Sequence, residues 1–339
     1  MLSTIIVVAI FLTLVMLQVI LWAVFLRLGL RWAGIPEVTT RRIVVATASV
    51  IVVQIGLYIP LRLFAPASDA QAILMSVLEL AATVLVPCLV IMQVFRARFF
   101  RSLQAWLPTL LPSGAMVLIA FLVLRPFICE AFVSPTNAMA PTLLGNHWRG
   151  RCPECGQPNF CSPVDTRYAG PEAPRMICGN FHINQVPDVP QQVFPPDRFL
   201  VAKFLTPKRW DVAVFQYPEN PSTLYVMRLI GLPGETIHIE GGVVWANGKK
   251  LEVPDSLHGI EYLSELPDWP SSVWGSKDRP AVLGADEYFV LGDFSPQSKD
   301  SRLWEQGASG HKPFAVPESH IRGVVTHIYW PPQRWRILR

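Results

Sequence analysis

Three long apolar runs near the amino terminus restrict what this chain can fold into more than any other feature. Ile5 to Leu26 is interrupted only by Thr13 and Gln18, and Ile43 to Leu61 and Ile73 to Val94 follow at similar length. A helix crosses the hydrocarbon core of a bilayer with about 20 predominantly apolar residues, so each run is long enough to span. A fourth, Leu107 to Leu124, is shorter, carries Pro108 and Pro112, and leads straight into Arg125. With 51% hydrophobic residues over 339 positions, the composition is that of a membrane protein rather than of two soluble domains. The first run has no basic flank before it and exceeds the apolar core of a cleavable signal peptide, so it reads as a retained span.

Arginine placement sets the expected orientation. Arg27, Arg31, Arg41 and Arg42 lie between the first and second runs, and Arg96, Arg98 and Arg101 between the third and fourth. The amino terminus has no Lys or Arg, and the short second loop has Arg62 and Asp69. By the positive-inside rule the two arginine-rich loops are cytoplasmic, which puts both termini and everything beyond Arg125 on the opposite side. These loops account for the net charge of +4, so the expected partner is a lipid membrane and not nucleic acid. Glu79 sits at membrane depth in the third run, where an acidic group is a functional candidate by default; the plainer expectation is a carboxylate wetted or paired within the bundle.

Beyond Arg125 the pattern changes to short segments separated by Pro, Gly and Asn. Asp211 to Tyr217 and Thr236 to Glu240 alternate, and Asn247-Gly248 supplies a tight hairpin turn between Val243-Val-Trp245 and Lys249-Lys-Leu251. Glu287 to Leu291 and Gly323 to Trp330 are further strands, which together predict an antiparallel, mostly β domain.

Three ordered blocks carry the chemistry of this region: Ser134-Pro-Thr-Asn-Ala-Met-Ala-Pro-Thr-Leu143, Tyr225-Val-Met-Arg-Leu-Ile-Gly-Leu-Pro-Gly-Glu235, and Leu291-Gly-Asp-Phe-Ser-Pro-Gln-Ser-Lys-Asp-Ser-Arg302. In that order and at those spacings the chain resembles the signal peptidase I family from about Arg125 to Trp330. The resemblance implies a mostly β catalytic domain at the outer face of the plasma membrane. It also implies a serine-lysine dyad in which a desolvated, neutral lysine amine takes the serine proton. The family serine falls at Ala138 and the family lysine at Met227. A methyl group cannot attack a carbonyl, and a thioether is too weak a base to deprotonate an alcohol. Met is close to Lys in length and fills the same slot without burying an amine.

Other matched positions survive. Thr136 falls where a hydroxyl joins a backbone N–H in stabilising the oxyanion, Ser298 where a serine orients the lysine, and Asp300 and Arg302 where a salt bridge stands behind the site. The plainer expectation for all four is loop hydrogen bonding. A relocated dyad would have to draw on Ser134, Thr136 or Thr142 with Lys203, Lys299 or His238. Ser134 and Thr136 lie roughly 7 to 14 Å along an extended loop from the lost nucleophile, far beyond the roughly 1 Å that such chemistry tolerates.

Four of the six cysteines fall in an insertion, 145–188, that separates two stretches of the β domain, 125–144 and 189–339; the membrane region occupies 1–124. Cys152-Pro-Glu-Cys155-Gly has the spacing of a zinc-knuckle turn, and Cys178-Gly-Asn-Phe-His182 supplies a less regular second half. One structural zinc would be held by Cys152, Cys155 and Cys178 with Cys161 or His182; two disulfides are the alternative on the oxidising side of a membrane. Cys88 and Cys129, in or beside spans, read as packing residues.

Three functions remain open at this point. The first is an inactive homologue that binds signal peptides of preproteins or pairs with an active signal peptidase. The second is an active peptidase with relocated catalytic residues, and the third a membrane-anchored zinc-ribbon interaction module.

Overall fold

A computed structural model describes residues 2–63, 69–163, 174–186, 189–265 and 273–338. Parts of the cysteine-rich insertion, 164–173 and 187–188, lie outside the described residues. The chain divides into two compact units, 1–123 and 124–339.

The apolar runs of the first unit form helices α1 (Leu2–Trp32), α2 (Thr40–Leu63) and α3 (Asp69–Phe95). Helix α1 outlasts its apolar run by continuing through Arg27 and Arg31, where positive charge suits the carboxyl end of the helix dipole. It stops because Gly34 takes φ +63°, so that Gly34 N–H bonds Arg31 C=O and Ile35 N–H bonds Leu30 C=O, a Schellman closure. Leu30 and Ile35, both buried, supply its apolar contact.

The fourth crossing starts earlier than the sequence predicts. Helix α4 (Phe99–Trp106) passes through a 3-10 turn at Leu107–Thr109 into α5 (Leu110–Ile119), followed by a π-helical stretch over Ala120–Ile128. Pro108 and Pro112 do not end the run, because each sits in the first turn of its segment, where an N–H has no intrahelical acceptor to lose. Among the described residues, four segments are therefore long and apolar enough to cross a membrane: Leu12–Trp32, Thr40–Ile59, Ala70–Phe95 and Phe99–Ile128. Leu26, Leu30, Ala46, Ile91 and Ala105 are buried between helices, while Val52 and Leu80 are 69% and 68% exposed. Apolar side chains on the outside suit lipid as solvent. Glu79 is half-buried in α3, and its C=O accepts the Tyr58 hydroxyl at 3.2 Å.

The second unit begins with β1 (Cys129–Val133) and then inserts four short strands, β2 (Trp148–Arg151), β3 (Pro158–Cys161), β4 (Arg175–Cys178) and β5 (Ile183–Gln185), which pair in that order. The main sheet resumes with β6 (Arg198–Ala202), β7 (Val212–Tyr217) and β8 (Asn220–Gly231). A smaller sheet contains β9 (Thr236–Glu240), β10 (Val243–Ala246), β11 (Lys249–Lys250) and β12 (Ala281–Val282). Last come β13 (Glu287–Leu291), β14 (Val316–Pro317), β15 (Ile321–Trp330) and β16 (Arg336–Ile337).

All the strand pairs are antiparallel, and the main sheet runs β1-β6-β15-β7-β8-β13-β14 with β16 beside β15. The fold is thus the membrane helices followed by an antiparallel β domain. Asn247 and Gly248 take φ +49° and +76°, the two left-handed positions that a tight hairpin turn requires. Strand β7 is buried at Val212 to Phe215 without alternation: β15 and β8 pair with its two edges, and side chains pack on both of its faces.

Candidate functional site

The three sequence blocks meet in the second unit. The first is the loop that leaves β1, the second lies on β8, and the third is the loop that leaves β13. Ala138 C=O accepts the Phe294 N–H at 3.0 Å, which joins the first block to the third. Gly292 must be glycine here, because a Cβ would stand 2.1 Å from Ser298 Oγ and 2.7 Å from Ala138 O. Ala138 and Ser298 are thereby packed together around one glycine.

Met227 is 3% exposed and belongs to an apolar cluster with Met139, Leu143, Leu229 and Trp304. Ser298 is 1% exposed, and among the described residues its Oγ has no hydrogen-bond partner. A buried hydroxyl without a protein partner costs about 1–3 kcal/mol. Thr136 is exposed, with its Oγ1 3.5 Å from Ala138 N.

Asp300 and Arg302 are fully buried and paired at 2.6 Å. The Asp300 carboxylate accepts the Gly292 N–H at 3.0 Å, and the Arg302 guanidinium donates to Leu263 C=O, Ser295 C=O and Ser295 Oγ. The pair therefore fixes the loop that carries Ser298 rather than facing an open site.

A second buried pair was not singled out in the sequence: Arg228 of the second block pairs with Asp293 of the third, and Thr142 of the first bonds both. Arg228 donates to Asp293 at 2.7 and 2.5 Å, Arg228 also reaches Thr142 Oγ1 at 3.1 Å, and Thr142 donates to Asp293. Burial pushes the Arg228 guanidinium down, but the Asp293 carboxylate outweighs it and leaves the group raised. The signal available in sequence was position alone: Arg228, Asp293 and Thr142 each sit inside one of the three blocks.

The loop is clamped from two more sides. Arg334 pairs with Asp197 at 2.7 Å, Asp197 accepts the Leu144 N–H, and Arg334 and Arg336 both donate to the carbonyls of Pro141 and Thr142. Burial and the neighbouring Arg334 push Arg336 down to about 10. Asn137, 2% exposed, accepts the Gly145 N–H and donates to Asn146 C=O and Ser162 Oγ, which ties the loop to the cysteine-rich insertion.

Of the groups from which a relocated dyad could be drawn, all but the exposed Thr136 are engaged elsewhere. Ser134 is buried and donates to Thr136 C=O, and Thr142 serves the Arg228–Asp293 pair. Lys203 pairs with Glu130 at 2.7 Å, Lys299 lies 3.6 Å from Glu219, and His238 stacks on Trp245.

In the insertion, Cys152, Cys155, Cys178 and His182 bring their ligand atoms within 4.8 Å of one another and could hold a metal ion. Cys161 is left out: buried on β3, it does not join the cluster, and the fourth position goes to His182. Cys155 and Cys178 Sγ are 3.7 Å apart and Cys152 Sγ is 3.8 Å from His182 Nδ1. Tetrahedral zinc with bonds of about 2.3 Å to sulfur sets sulfur-sulfur edges near 3.8 Å. Asn184 donates to Cys152 Sγ at 3.3 Å and is itself bonded by Asn159. Burial pushes the Cys152 thiol up, yet the backbone N–H groups of Cys155 and Glu154 with His182 bring it down to about 6. Burial raises Cys178 to about 11.

Comparison with known proteins places these features in one context. The family described as "Signal peptidase, peptidase S26" matches residues 176–330, which include Met227 and Ser298 but begin after Ala138. A signal peptidase I of Leptolyngbya laminosa is 36% identical over 149 residues, 41% of this chain and 62% of that protein. One from Pseudomonas aeruginosa is 29% identical over 143 residues, 37% of this chain and 50% of that protein. A solved signal peptidase I from Enterococcus faecalis is 27% identical, with a TM-score of 0.27, over 36% of this chain and 98% of that one. The match to each of these two sequence relatives thus spans less than two thirds of its length.

Proposed function

Because the chain belongs to the signal peptidase I family, we propose that it is a membrane-bound homologue that holds signal peptides of preproteins without cutting them. The observation that carries this reading is the paired loss. Ala138 offers no nucleophile, Met227 fills the base position inside an apolar cluster, and the Ser298 hydroxyl is left with no group to orient. Either loss alone would abolish the dyad; both together, with the slot repacked by an apolar side chain, fit a site released from catalysis.

A peptide-binding groove can outlive its dyad. Strand β1 stands at one end of the main sheet with β6 on its other side, and it runs directly into the Ala138 loop. An extended peptide can add to such an edge through main-chain hydrogen bonds. This open edge favours peptide capture over pairing with an active peptidase. On the arginine asymmetry of the loops, the β domain lies outside the cytoplasm, at the plasma membrane.

We further propose that the metal in the insertion is one structural zinc. The ligand set is complete with four protein atoms and leaves no open position for chemistry, and the second ring of Asn184 and Asn159 orients it.

Cleavage of a signal-peptide substrate by the purified full chain tests the main proposal, beside Ala138→Ser, Met227→Lys and the double variant. The unaltered chain and both single variants are expected to be inactive, since dyad members act as a unit. Clear cleavage by the unaltered chain, abolished by replacing Ser134 or Thr136, would overturn it.

A further inference from the structure

The first unit contains a cavity of about 590 Å³ where the loop between α1 and α2 meets the segment between α3 and α4. Arg42, Arg96, Arg98 and Arg101 line it, with Glu37 as its one carboxylate and Phe95 in its wall. Glu37 is already paired with Arg42 at 2.6 Å. Among the described residues, Arg96, Arg98 and Arg101 have no carboxylate partner. Three guanidinium groups therefore converge on one space with no counter-charge.

Orientation in the membrane requires arginines at this end of the bundle but does not require them to share a cavity. Arg41, beside Arg42 in the first turn of α2, does not line it. Two residues on its walls, Glu37 and Arg96, take φ of +58° and +51°, a conformation that non-glycine residues hold at a cost. Trp32 and Phe100, within three residues of its lining along the chain, are 61% and 81% exposed, as aromatic side chains are at a membrane interface.

We propose that this cavity binds the phosphate of an anionic phospholipid headgroup. Planar guanidinium groups pair with phosphate oxygens through parallel hydrogen bonds, and the charge of the ligand offsets the repulsion among the three arginines. The shared chemistry is a phosphate ester anion. The lipid is favoured over free phosphate because the cavity opens at the ends of membrane helices, with buried Phe95 and Ile35 in its wall.

The test uses the full chain in detergent and native mass spectrometry, with phosphatidylglycerol or phosphatidylcholine added. The expected result is saturable retention of one phosphatidylglycerol, which inorganic phosphate does not displace. Each arginine contributes about fivefold, so Arg98→Gln weakens retention by that factor, and Arg96→Gln with Arg98→Gln by more. Arg41→Gln leaves retention unchanged and reports that the charge count alone is not read. Equal retention of the two lipids, or equal loss in Arg41→Gln and Arg98→Gln, would overturn the site. Displacement of the lipid by inorganic phosphate would overturn the lipid assignment.

Discussion

Replacing Met227 by Lys tests the reading of the catalytic slot without any reliance on activity. Met227 is 3% exposed within an apolar cluster, so an amine placed there is desolvated and driven to its neutral form. In the unfolded chain the same lysine titrates near 10.4 and is protonated at neutral pH. If the folded pKa falls below 7, as for buried lysines in general, the variant is destabilised at pH 7 by about 4 to 5 kcal/mol, at about 1.36 kcal/mol for each pH unit below the unfolded value.

The sign follows from proton counts. The folded pKa is depressed, the unfolded state binds the extra proton, and stability rises with pH between the two values. The deficit should therefore shrink from pH 7 to about pH 10 at about 1.36 kcal/mol per unit. Denaturant unfolding of the full chain in detergent, across that pH range and beside Met227→Leu, measures it. A lysine variant that is as stable as the leucine one at pH 7, or whose deficit is independent of pH, would show that position 227 is not a desolvated slot and would refute the reasoning.

Asp293→Asn leaves Arg228 buried without its carboxylate and should cost about 3–5 kcal/mol in denaturant unfolding, whereas apolar replacement of both partners should recover most of that. Metal analysis should find one zinc per chain, lost on replacing Cys152 or His182 by Ser but not on replacing Cys161 by Ser; two disulfides by mass spectrometry would transfer the insertion to the oxidised alternative. A reporter active only in the cytoplasm, fused after Arg339, should be silent; strong activity would mean that the segment from Phe99 does not cross.

The membrane helices were legible because lipid demands long apolar runs, and such runs need no tertiary partner to be recognised. The fourth starts at Phe99 rather than Leu107, because Phe99-Phe-Arg-Ser-Leu-Gln-Ala-Trp106 is a helix whose Arg101, Ser102 and Gln104 keep it out of an unbroken apolar run. In the β domain the hairpin at Asn247-Gly248 followed from turn chemistry. Strand β7 lost its expected alternation because burial on both faces is set by neighbours distant in sequence. Motif order pointed to the region of the candidate site. What it could not give was the Arg228, Asp293 and Thr142 contact, which exists only once three separated segments are brought together. The choice of His182 over Cys161 was open for the same reason, since spacing along the chain does not say which side of β3 faces the cluster.

The most direct measurement of the central claim is incubation of the purified full chain with a labelled signal peptide, reading binding and peptide mass in the same sample. The account predicts saturable binding with the peptide recovered intact after prolonged incubation, and weaker binding when the exposed Val133 on edge strand β1 is replaced by Asp. Recovery of the two cleavage products from the unaltered chain would contradict it, as would a peptide that never binds.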